Sequence, residues 1–146
     1  MNSQLIKILQ EAKYAKILYC RAGGGAGSVI MMEYVVNDVL YVLFINTVWR
    51  IESQHEVIAT SADDVEPING LIAKAVSNLE NKAILSVELL AFYDLKISFE
   101  NNLCLKVFNV FTKNTETNCN WTISIPSQNI SLDVTSEFKI KTGCYY

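Results

Sequence analysis

Proline occurs twice in this 146-residue chain, glycine six times and histidine once. So few helix breakers and flexible residues argue against long linkers, and charged residues at 18% against 51% hydrophobic ones argue against disorder. No apolar run reaches the roughly 18 residues that a spanning helix needs. The start, Met1-Asn2-Ser3-Gln4-Leu5-Ile6-Lys7, lacks the basic opening and continuous apolar core of a signal peptide. A soluble, cytoplasmic protein is therefore expected, and the sequons at Asn120 and Asn129 carry no meaning without secretion. Basic clusters are also missing. With a net charge of −3, phosphate-rich nucleic acid is not an expected partner, and neither is a membrane. The mildly basic first 21 residues read as a solvated helix face and a strand start.

Catalytic and metal motifs are incomplete throughout. The four cysteines (Cys20, Cys104, Cys119, Cys144) form no CxxC pair, and the single His55 cannot complete a zinc pattern with them. They read as buried or half-buried thiols. The glycine run Gly23-Gly24-Gly25-Ala26-Gly27 has no following Gly-Lys-Ser/Thr and no third spaced glycine opening a helix, so it reads as a hairpin loop rather than a phosphate cradle. His55 lies in a turn among acids, the setting of a solvated histidine rather than of a nucleophile's base. Asp63-Asp64-Val65-Glu66 lacks the spacing of a calcium loop; its ordinary reading is a helix N-cap with acids in the first turn. No enzyme, cofactor or metal is expected.

At about one domain's length, residues 1–146 are read as a single domain able to bury a core unaided. A helix is predicted from residue 3 to about 14, with Leu5, Ile6, Leu9 and Ala12 on one face and Asn2 or Ser3 as cap. Strands follow at 17–20 and 29–36, joined through the glycine run. After the turn signal Asn37-Asp38, the segment 39–45 is apolar on both faces, as in a covered central strand. Residues 48–52 alternate, with Trp49 and Ile51 on one side and Val48, Arg50 and Glu52 on the other. Arg50 is placed to pair with Glu52 or Asp63, and residues 57–60 pair back after a turn at 53–56.

Pro67 then suits a helix's first turn, and Ile68, Leu71, Ile72, Ala75, Val76 and Leu79 mark its apolar face. Further strands are read at 84–90, 95–99, 103–107, 121–125, 130–134 and 138–141. Asn101-Asn102 makes a tight turn, and 112–120 an exposed polar loop. The expected fold is α+β and strand-rich, a mainly antiparallel sheet or sandwich of eight to ten strands with two helices, the second on a sheet face.

What is abundant is acid in one place. Between Glu52 and Glu66 lie five carboxylates (Glu52, Glu56, Asp63, Asp64, Glu66) and no Lys or Arg. Concentrated charge of one sign steers partners of the other. These residues, with Trp49 as an aromatic anchor if exposed, are the candidate partner-binding site.

The order of features resembles a family. An apolar strand runs into Trp49-Arg50-Ile51-Glu52, followed by an acidic turn and a helix. Then come the hairpin Asp94-Leu95-Lys96-Ile97-Ser98-Phe99 and a late Trp121-Thr122-Ile123. Over roughly 35–125 this resembles small bacterial immunity-type proteins encoded beside secreted toxins in interbacterial competition systems such as contact-dependent growth inhibition. The tail beyond Pro126 departs from that pattern. The resemblance implies a toxin inhibitor: a cognate, basic toxin domain, for instance a nuclease, would be occluded by the acidic surface without chemistry. It supplies no catalytic residue. The alternative is a non-catalytic ligand-binding or self-associating module, a possible homodimer pairing through 39–45 as an edge strand.

Overall fold

Asn2 opens the first helix by accepting a hydrogen bond from the Leu5 amide on its side chain, and α1 runs Ser3–Glu11. The computed structural model describes residues 2–115 and 119–143. The helix ends one turn before the predicted limit, because Tyr14 takes a left-handed backbone (φ 73°) and donates its amide to Ile84. Leu5, Ile8 and Leu9 are buried. The Tyr41 hydroxyl donates to the Glu11 carboxylate, tying the helix to the sheet beneath.

Among the described residues there are eleven strands: β1 Ile17–Arg21, β2 Ile30–Val36, β3 Val39–Ile45, β4 Val48–Glu52, β5 Val57–Thr60, β6 Ile84–Leu89, β7 Leu95–Phe99, β8 Cys104–Phe108, β9 Cys119–Ile125, β10 Ile130–Thr135 and β11 Ile140–Gly143. They form two antiparallel sheets, ordered β1-β2-β3-β9-β10-β11 and β5-β4-β8-β7-β6. The fold is thus the strand-rich α+β class that the alternation predicts, with a strand at each of the eleven segments read as one. Asn37-Asp38 and Asn101-Asn102 both turn with positive φ, as short polar side chains permit. No described helix is long and apolar enough to cross a membrane.

One shared core lies between the sheets. The inward rows include Met32, Leu43, Ile123 and Leu132 from one sheet and Ile51, Leu105 and Ile97 from the other. Two tryptophans stitch it. Trp49 from the five-stranded sheet donates its indole N–H to Ser28 O in the β1–β2 loop at 2.7 Å. Trp121 from the six-stranded sheet donates to Tyr93 O in the β6–β7 loop at 2.9 Å. Each large ring gains burial and satisfies its polar atom on the opposite layer. Loops of both sheets are thereby held at one end of the sandwich.

Two expectations fail here. The segment 39–45 is not an edge: β3 is bonded by β2 on one side and β9 on the other, so it offers no free rim to a second copy. The second helix is also shorter than predicted. It is α2, Leu71–Ser77, with Gly70 as N-cap, while Pro67, Ile68 and Asn69 form a turn. The cause is Glu66, whose carboxylate accepts from the amides of Ile68, Asn69 and Gly70 and closes a tight turn where a helix would otherwise begin. Ile72, Ala75 and Val76 still face inward, packed beside β1 and β5, and Ile68 is left 75% exposed.

Candidate functional site

The antiparallel connections divide the acidic stretch. β4 runs from the end bearing the Trp-stitched loops towards the opposite end, where Glu56 lies in the turn into β5. β5 returns, and Asp63, Asp64 and Glu66 follow it at the stitched end. A four-residue strand at about 3.3 Å per residue puts the two groups roughly 10–15 Å apart. The five carboxylates close in sequence are therefore not one patch.

Glu52 is engaged internally. It accepts from Arg50 Nε at 2.5 Å and pairs with Lys106 Nζ at 3.1 Å on the outer face of the five-stranded sheet. Burial pushes its carboxyl up, but the hydrogen bonds and charges of Arg50 and Lys106 outweigh this and hold it below the usual carboxylate range. A depressed folded value means that Glu52 adds stability above the unfolded-state value near ~4.3, and that this is lost as pH falls through the folded value. The Glu52→Gln variant is expected to lose about 1 kcal/mol or less at pH 7, since the pair is partly solvated. The gap to the wild type should close as urea midpoints are followed down through pH 4 and below; a gap independent of pH would contradict the ion-pair account.

Trp49 is fully buried, so it is no surface anchor: its face of β4 is the core face. His55 is an exposed turn residue. Cys20 is buried, and its thiol is pushed up to about 12 by desolvation, partly countered by Arg21; Cys104 and Cys119 are also raised, mainly by burial. Cys144 lies outside the described residues. Among the described residues no three His, Cys, Asp or Glu side chains converge as a metal cage.

What remains of the acidic site is a knuckle over 61–71. Asp63 accepts the Thr60 amide, Asp64 accepts the Glu66 amide, and Glu66 holds three amides. The Gly24 amide donates to Val65 O at 2.6 Å, bracing the knuckle against the glycine loop. Gly24 itself has φ 60°, and a Cβ there would sit 3.1 Å from Pro67. None of Asp63, Asp64 and Glu66 has a Lys or Arg partner among the described ion pairs. Between and beside them project Val65 (42% exposed), Ile68 and Leu71 (42%). The acids were legible in the sequence. The apolar tips among them were not, because the pattern assigned Ile68 and Leu71 to a buried helix face.

The stitched end has a second corner, which the sequence reading missed. Phe92 in the β6–β7 loop meets Phe138 in the β10–β11 hairpin edge-to-face, ring centres 6.1 Å apart. Phe92 is 74% exposed.

The arrangement is that of a two-sheet antiparallel α+β sandwich with a hydrogen-bonded loop end. Compared with protein-family models, curated proteins and solved structures, the chain matches none.

Proposed function

We propose that this chain is a binding protein of the immunity type. It acts in the cytoplasm of its producing cell, docking its loop end over a cationic toxin domain and blocking it by occlusion, with no chemistry of its own. One observation carries the reading. Asp63, Asp64 and Glu66, without described cationic partners, flank exposed Val65, Ile68 and Leu71 on a backbone fixed by their own carboxylates. An apolar centre rimmed by charge on a preorganised loop suits a protein interface: little ordering entropy is lost on docking, and the charge speeds encounter.

The loop's internal bonds also determine the right variants. Asp63 and Glu66 hold backbone amides, so reversing their charge would perturb the fold. Asp64→Asn keeps the oxygen that accepts the Glu66 amide and removes the charge. Ile68→Ser removes an apolar tip that is 75% exposed. Pull-down of native partners at low and high salt is expected to retain a basic protein at low salt. Asp64→Asn should weaken its capture several-fold and flatten the salt dependence, and Ile68→Ser should weaken it at every salt. Equal capture by wild type and both variants would rule out this surface.

A further inference from the structure

The loop between β6 and β7 is held in a conformation that its residues disfavour. Phe92 (φ 55°) and Tyr93 (φ 63°) are consecutive aromatic residues in the left-handed region, and Phe138 (φ 58°), their neighbour across the end, is a third. A bulky side chain at positive φ raises the energy of the folded chain and persists only when the surroundings over-determine it.

Here they do. Trp121 donates to Tyr93 O, the Asn109 side-chain amide donates to Phe92 O at 2.9 Å, and Asp94 accepts the Asn109 backbone amide at 2.8 Å. The Asn109 side-chain oxygen is itself buried with no hydrogen-bond partner among the described residues. What these clamps achieve is to project the Phe92 ring into solvent, supported at its edge by Phe138. Core packing gains nothing from that. Phe138 also borders a depression of about 560 Å³ whose lining includes Lys113 and the Lys139–Glu137 ion pair at 3.6 Å.

We infer that the Phe92–Phe138 pair is the anchor of the interface whose acidic corner is the 61–71 knuckle. It would seat in an apolar socket of the same protein partner, an inference that rests on the proposed function. The geometry fits one footprint. The two corners lie at opposite sides of the five-stranded sheet, four strand spacings or roughly 20 Å apart. A standard interface of ~800 Å² per partner is roughly 30 Å across. The roles divide by physics: the carboxylates act on encounter over a Debye length, whereas a desolvated aromatic ring acts on residence time. The acid at the same end favours a protein over an anionic membrane as the occupant.

The test uses the whole chain with Phe92→Gly, Phe92→Ser and Asp64→Asn. Glycine relieves the φ penalty, so Phe92→Gly is expected to melt at or above the wild-type temperature. A melting point several degrees lower would make the ring a packing element and overturn the inference. The binding probe is a phage-displayed library of random 12-residue peptides selected on the wild type, with individual peptides then measured by surface plasmon resonance. Apolar peptides carrying Lys or Arg are expected. Both Phe92 variants should bind them at least tenfold more weakly through faster dissociation, and Asp64→Asn should lower the association rate and its salt dependence.

Full binding by the Phe92 variants would overturn the anchor while leaving the acidic reading to stand. Loss with the Phe92 variants but indifference to Asp64→Asn would keep the anchor and reject the cationic partner. Phe92-dependent binding to vesicles of phosphatidylserine and phosphatidylcholine, with no peptide selected, would overturn the protein partner altogether.

Discussion

Asn120→Ala is expected to be among the most destabilising single changes away from the tryptophans, at about 2–4 kcal/mol. Asn120 is fully buried at the start of β9, not in an exposed polar loop as its sequence neighbourhood suggests. Its side-chain oxygen accepts from the Phe111 amide at 3.0 Å, and its amide donates to Phe111 O at 3.1 Å and Thr135 O at 3.2 Å. Its backbone carbonyl accepts from both Asn46 and Thr47, the two residues that carry the chain from one sheet to the other. One side chain therefore joins the β8–β9 connection to the β10–β11 hairpin beside the sheet crossing.

Truncation leaves the Phe111 amide and carbonyl without these partners and removes one of two donors from Thr135 O, which still accepts from the Phe138 amide. At a few degrees per kcal/mol for a domain of this size, the melting temperature should fall by roughly 10 °C. Asn120→Asp keeps the acceptor but sets a carboxylate against two carbonyls. It should be worse than alanine at neutral pH and recover partly in acid, where the protonated group can donate again. A urea titration at two pH values separates the cases, and an Asn120→Ala midpoint equal to wild type would contradict the buried network.

Gly70→Ala is the second large effect, and its origin is purely steric. Gly70 has φ −63° and ψ 148°, a conformation open to any residue. A Cβ there would lie 2.4 Å from Glu66 O, 2.7 Å from Asp64 O and 2.8 Å from Glu66 N. All three are backbone atoms, which cannot rotate away as a side chain would, so the 64–66 segment has to move. The expected cost is about 1–3 kcal/mol or somewhat more. The same displacement would dismantle the knuckle, so partner capture should fall with stability. Gly25→Ala is the matched control: its Cβ meets nothing within 4 Å and its φ is not left-handed. There alanine should be neutral or slightly stabilising, because it restricts the unfolded chain. Comparable losses from both variants in a urea melt would mean that general loop strain, not the Gly70 contact, is responsible.

The acidic residues show how far the chain's local pattern reached. Asp64 and Glu66 are exposed, Asp63 is half-buried, and none of the three has a cationic partner among the described ion pairs, a point that charge density alone left open. Glu52 was counted with them, yet besides the Arg50 pairing read from the sequence it reaches diagonally to Lys106, which the β4–β8 register sets opposite Arg50 and no linear reading contains. Glu56 belongs to the other end because a short hairpin reverses the chain between it and Asp63.

Period-two alternation, the Asn-Asp and Asn-Asn turns and the apolar stretch at 39–45 determined by themselves that this chain makes antiparallel strands around a buried layer. Those signals are local: side-chain direction alternates strictly along a strand, and short polar residues accept positive φ at little cost. Only the tertiary structure decided which ends meet, that Trp49 and Trp121 cross the core to hold the opposite sheet's loops, and that Asn120 is a buried joint. It also decided that Phe92 and Phe138, ordinary aromatics in sequence, share one exposed corner. Those outcomes depend on register and on contacts between residues far apart in the chain, and no window of neighbouring residues encodes them.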